Sequence, residues 1–298
     1  MRCLRIVPAL VAVLPVPALA QSALPPTVRA MVEAAANSGD AAKIDAVVAV
    51  AKETNPESAA EIDAIVKQIA DAREAARVEE LKTARFLDNW KGRIDFGGSV
   101  STGSVNNSNI ALGLAVRREG LSWNHEAGFS ADIQKAEGLT IQNRLYGTWQ
   151  SDWKLTDRFY LLGRFEYEKN FNAGIDRRFV ESIGAGYRVI LPAPLSWDVE
   201  AGPAFRQTRF IDGSSDNTIA FRAASRVGWD IRENTRLTND TFIFIESASS
   251  VQNTLAISTT LWKALSAGVS FTYLWEEAPL PGLESTSTIT RFTIGYSF

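Results

Sequence analysis

The residues able to do chemistry are few, and their types exclude more than they suggest. His125 is the single histidine among 298 residues and Cys3 the single cysteine. A HExxH zinc site, or any other multi-histidine metal site, is therefore excluded, because zinc draws three or four ligands from such side chains. No glycine motif of the Walker or dinucleotide type is present, so no cofactor is expected. A lone histidine can still act as base to a serine. Alternation with Trp123, Ala127 and Phe129 puts His125 on the outward face of a strand, where a hydrolase acting on lipid would use it. If the next strand turns around Ala136, His125 falls opposite Gly147, with Leu145 and Trp149 diagonal and Leu114 beside it. Ser122 and Ser130 then point to the other face. On that register no hydroxyl nucleophile is within reach, no catalytic residue is assigned, and a histidine at a membrane interface is the simpler reading.

The charged residues form a second group. Arg93, Asp95, Arg117, Glu126, Asp132, Arg144, Arg164, Glu166, Glu168, Arg188, Asp198, Glu200, Arg206, Arg222, Arg226, Asp230, Asp240, Glu246 and Arg291 all share the inward parity of alternating segments. Simple hairpin registers set Arg144 against Glu168, Arg188 against Asp198 and Arg226 against Asp240, and a slip of one residue would overturn each. Rows of opposite charge either line a narrow aqueous path or pair across it and close it. The reading favours a closed or nearly closed, salt-bridged lumen, and the mixed signs argue against strong ion selectivity. Carboxylates and amides in residues 170–176 and 210–217 lack the ordered ligand spacing of a calcium loop, so solvated surface loops are expected there and no metal site.

These residues must be positioned by elements of some kind. The chain is 46% hydrophobic and 22% charged, with a mean hydropathy of -0.06, an average that hides its organisation. Apart from the first residues no apolar run reaches the roughly 18 needed for a spanning helix. Eight Trp, fifteen Phe and six Tyr are too many for a disordered chain. Strands whose lipid-facing and lumen-facing residues alternate pass both filters. Residues 1–20 read as an export signal: Arg2 and Arg5, an apolar stretch over 6–19, then Ala18 and Ala20 as the small residues before the cleavage point. Pro8, Pro15 and Pro17 make a membrane anchor the weaker reading. Cleavage near Gln21 would remove Cys3, leaving no thiol or disulfide, and would take the formal net charge from -3 to about -5. Such a chain has no basic surplus for nucleic acid.

Residues 21–87 are Ala-rich, lack Trp and Tyr, and carry apolar residues at helical spacing. Val28, Met31, Val32 and Ala35 make one face. Asp40 caps a second helix with Ile44, Val47, Val48 and Ala51 inward, and Ser58 caps a third carrying Ile62, Ile65, Val66 and Ile69, with Val78 and Leu81 as its continuation. A small bundle, or a helix lying on a barrel mouth, is the plainer expectation. A coiled coil that binds a periplasmic partner or the cell wall is the sharper one.

At Trp90 the period changes to 2 and stays there. About twelve strands follow within residues 88–298, each near the length of a tilted transmembrane strand. The expected fold is all-β: an antiparallel up-and-down transmembrane barrel preceded by an α-helical periplasmic segment, embedded in outer-membrane lipid. The ninth strand is ambiguous, because Phe242 and Phe244 compete with Ile243 and Ile245 for the apolar face. Connections at 118–120, 155–157, 192–194, 233–234 and 263–264 are tight, while those at 170–176, 211–217 and 277–284 are longer, as expected of periplasmic turns and outer loops. Trp90, Trp123, Trp149, Trp153, Trp197, Trp229 and Trp262 gather near the tight-turn ends, with only Trp275 near the other, which predicts an interfacial girdle. The last segment carries Phe292, Ile294, Tyr296 and Phe298 at alternate positions. It is similar to the C-terminal signal read by the barrel assembly machinery, a partner that would pair with an exposed edge strand.

A signal peptide, a polar helical lead-in, Trp90-Lys91-Gly92 opening a run with Gly97-Gly98-Ser99 and Ser101-Thr102-Gly103-Ser104, and paired strands to a terminal Phe together resemble a bacterial outer-membrane family known as domain of unknown function 481. That family includes proteins described as salt-induced outer membrane proteins. The likeness covers residues 88–298, and the Ala-rich lead-in looks like an addition found in part of the family. The resemblance implies a barrel in the outer membrane of a Gram-negative bacterium and no established reaction. Structural support or passage of small solutes and ions is the leading expectation. A lipid-acting hydrolase using His125, and a scaffold acting through the N-terminal helices, are the alternatives.

Overall fold

The computed structural model describes residues 24–102, 107–136, 139–191 and 194–298. The expected export signal and its Ala18 and Ala20 lie outside the described residues. Two compact units divide the chain, Met1–Glu80 and Leu81–Phe298.

The first unit holds α1 (Pro26–Ser38), α2 (Ala41–Thr54), a 3-10 turn at Pro56–Ser58 and α3 (Ala59–Thr83). Pro26 opens α1 where its missing N–H is harmless, and Gly39 closes it in the left-handed conformation at φ 72°. Arg73 donates to the freed Ala36 carbonyl at 3.0 Å and so caps the same end from α3. Asp40 caps α2 as expected, accepting from the Lys43 N–H at 3.2 Å. Ser58 directly precedes α3. Pro56 opens a 3-10 turn that ends at Ser58, which is buried. Leu24, Val32, Ala51, Ile62 and Ile65 form the core, with Val28, Val47, Val48, Val66 and Ile69 packed on it. Met31, expected on this face, is instead half-exposed.

The second unit is a closed ring of twelve antiparallel strands among the described residues. They are β1 (Trp90–Thr102), β2 (Asn107–Glu119), β3 (Trp123–Ala136), β4 (Leu139–Lys154), β5 (Phe159–Asn170), β6 (Ile175–Ile190), β7 (Leu195–Phe210), β8 (Ser215–Arg232), β9 (Thr235–Ile245), β10 (Ser250–Trp262), β11 (Leu265–Glu276) and β12 (Thr286–Ser297). Each strand pairs with its neighbours in sequence, and β12 closes on β1 from Arg93↔Ser297 to Thr102↔Thr288. Gly92 and Phe298 extend that seam by exchanging N–H to C=O bonds of 2.9 Å. Phe292, Ile294, Tyr296 and Phe298 all remain exposed beside it.

Alternation divides every strand into two faces. Outward side chains such as Ile94, Phe96, Leu112, Ile183, Phe271 and Phe292 are large, apolar and exposed. A continuous outer belt of this kind, wrapped around a charged interior, is the surface of a strand-built membrane protein rather than of a soluble one.

One end carries tight turns and the other the longest connection, at residues 277–285. The contrast is smaller than the sequence suggested. β6 begins at Ile175 and β8 at Ser215, because ladder pairing such as Arg209↔Ser215 runs into segments expected to be loop. Trp90, Trp123 and Trp262 stand at strand ends on the tight-turn side, with Trp153, Trp149, Trp197 and Trp229 within a few residues of it.

Candidate functional site

The inward face of the barrel is strongly uneven around its circumference. On β4–β9 it carries long side chains that meet one another. Arg222 lies at the centre of the knot, with a side chain 2% exposed, 3.0 Å from Glu200 and 3.8 Å from Glu166. Arg164 donates through Nε to Glu166 at 2.7 Å and through Nη1 to Gln150 at 3.1 Å. Tyr146 donates to the other Glu166 oxygen at 2.6 Å. Glu200 further accepts from Gln150 at 2.8 Å and from Tyr160 at 3.1 Å. Arg226 reaches Gln150 at 2.7 Å and Glu126 at 2.9 Å. Two buried carboxylates thus satisfy several donors each, the condition under which buried charge is tolerated.

Phenylalanines support this cluster from below. The guanidinium carbons of Arg164 and Arg222 each lie 5.2 Å from the Phe242 ring centroid, and that of Arg226 lies at 5.9 Å. Arg206 lies 5.0 Å over Phe244. Nε and Nη2 of Arg222 have no hydrogen-bond partner among the described residues, and the π-face beneath stands in for one. The ambiguity of the ninth strand resolves here. Ile243 and Ile245 face out, while Phe242 and Phe244 face in because arginines need a platform.

A second knot sits nearer the long connection. Glu168 is shared by Arg144 at 3.4 Å and Arg178 at 3.5 Å, and Arg178 also binds Glu276 at 2.8 Å across the lumen. Arg206 and Thr218 both bond to Glu246. Above this knot the 277–285 connection folds over the mouth. Leu280 and Leu283 lie against Gly174, where an added Cβ would meet Leu280 at 2.7 Å. Gly174 belongs to the β5–β6 turn, on the far side of the ring from β11 and β12. The connection therefore crosses the opening. A small cavity of about 70 Å³ lies beneath it, walled by Pro279, Glu284, Arg178 and Glu168.

On β1–β3 and β10–β12 the inward positions are mostly small. Ala111, Gly113, Ser130, Ser258, Gly268 and Ser270 line a cavity of about 260 Å³. Two ion pairs flank it, Arg93 with Asp95 at 2.7 Å and Arg291 with Asp132 at 2.5 Å, the latter spanning from β12 to β3.

Of the expected lumen residues, the structure brings Arg93, Asp95, Glu126, Arg144, Arg164, Glu166, Glu168, Arg226 and Arg291 into these ion pairs. Arg117, Arg188, Asp198 and Asp240 face the lumen but make no ion pair within 4 Å among the described residues. The registers are corrected in detail. Arg144 stands opposite Asn170 and reaches Glu168 diagonally. Arg188 does face Asp198, yet its guanidinium donates to the Asp157 carbonyl. Arg226 does face Asp240, yet pairs with Glu126 and Glu200. Sequence reasoning missed Tyr146, Gln150, Tyr160, Arg178 and Glu276. Tyr146, Gln150 and Tyr160 are uncharged and give no sign of joining an ionic network, while Arg178 and Glu276 lie just beyond the alternating segments that the sequence marks and enter because β6 and β11 run further.

The expected surroundings of His125 are overturned. It stands opposite Ser151 and Arg118, not Gly147 and Leu114. Pairing runs up to Ala136↔Leu139, with a bulge at Gln134/Lys135, so the turn is centred later than the sequence suggested. His125 Nδ1 and Ser151 Oγ lie 2.9 Å apart, and Ser151 Oγ also accepts from the Trp149 indole at 3.0 Å. Phe86, Trp90, Trp123 and Trp149 surround the imidazole with ring centroids 5.5 to 6.5 Å away. Arg118 is held beside it by the carbonyls of Asp88 and Arg85. Hydroxyl and imidazole have the spacing of nucleophile and base. No carboxylate is hydrogen-bonded to the imidazole among the described residues, and the surrounding strand N–H groups are engaged in the ladder rather than converging on an oxyanion position.

The family described as "Protein of unknown function, DUF481" matches residues 94–298. No curated protein matches the chain. Among solved structures, the NanC porin is 12% identical, with 68% of this chain and 98% of that one covered at a TM-score of 0.46. The KdgM porin is 12% identical, covering 69% and 99% at 0.43. The translocator domain of the autotransporter NalP from Neisseria meningitidis is 10% identical, covering 80% and 99% at 0.44. Likenesses this distant add nothing to the barrel that strand pairing already establishes.

Proposed function

Because the chain belongs to the DUF481 family, which carries no assigned reaction, we propose from the lumen itself that it is an outer-membrane barrel passing small ions or solutes along one side of its interior. The observation that carries this reading is the unevenness of the lumen. Most arginines and carboxylates of β4–β9 bind one another, with bridges to Glu126 of β3 and Glu276 of β11, and a cavity of about 260 Å³ stays open beside the small residues of β1–β3 and β10–β12. Arg93, Asp95, Asp132 and Arg291 border the path with both signs, which sets weak selectivity. The tight-turn end, with its tryptophans, faces the periplasm, and the 277–285 connection covers the outer mouth. Export by the leader and insertion by the barrel assembly machinery through the Phe298-terminated strand belong to the same reading.

Planar-bilayer recording of the purified, folded protein tests it. Small, weakly selective current steps are expected, with fractionation of cells placing the protein with the outer membrane. Currents no greater than those of the empty bilayer, for both the native chain and a variant lacking the covering connection, overturn passage.

A second reading rests on a single observation, the 2.9 Å contact between His125 and Ser151. As a lipid-facing pair it would hydrolyse an ester, and Ser151→Ala and His125→Ala would each abolish fatty-acid release from phospholipid micelles. Equal release by native and substituted protein removes this reading.

A further inference from the structure

One part of the outward surface departs from the apolar belt. At the loop end of β5–β7 the outward positions are Lys169, Arg177 and Arg209, on three adjacent strands. Arg177 and Arg209 are direct cross-strand partners and both are exposed. Their inward neighbours Arg178 and Thr208 are buried and hydrogen-bonded to each other at 3.2 Å, which fixes the outward parity of the pair. Lys169 sits at the bulge where β5 supplies one residue against Asp176 and Arg177 of β6. None of the three cations forms an ion pair within 4 Å among the described residues, Asp176 included. Like charges directly opposite in a ladder destabilise it unless an anion lies between them.

Below this row the same strands shape a hollow. Gly163 leaves open space on β5, and Phe165, Ile183, Pro203, Phe205 and Ile219 surround an apolar concavity of about 730 Å³ on the outer face. A carboxylate enters it as well. Glu181 is outward and exposed, with Phe165 and Phe205 as its cross-strand neighbours. An ionisable group set among apolar side chains on the outward face marks a site rather than a neutral wall. Arg177 and Glu181 are four positions apart along β6, about 13 Å at strand rise.

We propose that this face binds one phosphorylated lipid of the outer leaflet. Arg177 and Arg209, with Lys169 beside them, hold its phosphate; the hollow takes an acyl chain; and Glu181 accepts a hydrogen bond from a hydroxyl or amide of the same molecule. Guanidinium pairs suit phosphate because each offers a planar fork of donors. A free anion would use the row alone and leave the hollow and Glu181 without a role. The proposal rests on the reading of the barrel as an outer-membrane protein with its loop end outward, but not on passage through its lumen.

Native mass spectrometry of the detergent-solubilised full chain tests it, with lipid A carrying two phosphates as the probe and its enzymatically dephosphorylated form as the comparison. The native chain is expected to bind the phosphorylated form at least tenfold more tightly. Arg177→Gln with Arg209→Gln should erase that preference, the double lysine variant should recover part of it, and Glu181→Leu should weaken binding of both forms. Equal binding of the two lipids by the native chain, or an undiminished preference in the double glutamine variant with unchanged heat-modifiable migration, overturns the proposal. Competition by millimolar inorganic phosphate would assign the row to a free anion and overturn the lipid. Conductance is recorded separately on the same preparation, so loss of lipid preference and loss of passage are distinguishable.

Discussion

The two sides of the lumen solve the same problem in opposite ways. Both must face inward in a ring of fixed circumference, and both must avoid unpaired polar groups. The β4–β9 wall does so with long side chains that consume each other's charge, as in Glu200, which serves Arg222, Arg226, Gln150 and Tyr160. The β1–β3 and β10–β12 wall does so mostly with short residues, such as Ser258, Ser270 and Gly113, beside ion pairs such as Arg93 with Asp95 and Arg291 with Asp132. Space inside a barrel of this size is therefore set less by strand number than by how side-chain length is distributed around it. A barrel with the same charges scattered evenly would fill its centre.

The sharpest way to break this contrast is to remove one shared carboxylate. Glu200→Ala would leave Arg222, 2% exposed, with Glu166 alone. Breaking a buried pair in this manner costs about 3–5 kcal/mol, whereas Ser258→Ala on the other wall should stay within roughly 0.5 kcal/mol. Urea titration of barrels folded into identical vesicles measures both, and equal losses would mean that the walls do not differ as described. Next in size is a steric test. Ser258→Trp fills the cavity and should cut single-channel current about tenfold or more, since conduction follows the narrowest section. The same bulk at the outward Ile257 should leave the current unchanged. Current that survives Ser258→Trp would move the path elsewhere.

The inward and outward faces were legible in the sequence, whereas the unevenness around the lumen was not. Strict alternation from Trp90 onward separated the two faces of nearly every strand, because a period of 2 is a geometric property of the extended chain. Inward charges such as Arg164, Glu166 and Arg226 followed from parity alone. Which charges meet did not follow, since pairing depends on register and registers shift at bulges such as Gln134/Lys135 and Glu168/Asn170. The same effect concealed the contact of His125 with Ser151. Phe242 and Phe244 confused the ninth strand for a different reason. An aromatic inside a barrel looks like a lipid-facing residue until the arginines over it are seen. The crossing of the mouth by residues 277–285 was invisible because loop length says nothing of where a loop lies.

That crossing supplies a smaller test. Replacing residues 278–284 with a short Gly-Ser linker removes Leu280 and Leu283 from Gly174 and should raise current by a few-fold, as expected when a mouth rather than the narrowest section is opened. Glu276→Gln, which releases Arg178 from its partner across the lumen, should give part of that rise. Bilayer recordings in matched salt measure each, and an unchanged current would mean that ions bypass the covered side altogether.

The finest test asks whether the small-residue side governs ion preference. Arg291 and Asp132 form one pair at its border, from β12 to β3, and Arg93 and Asp95 form another along β1. Arg291→Ala leaves Asp132 uncompensated next to the path and should shift permeability toward cations by about twofold, an effect that shrinks as salt screens the charge. Asp132→Asn frees the arginine and should shift it the other way by a similar amount. Arg164→Gln, a charge change of the same size on the crowded wall, should move the reversal potential less, because that side lies away from the path. If Arg164→Gln produces the larger shift, ions travel through the ionic knot, and the side lined by Ser130, Ser258 and Ser270 is packing space rather than a passage.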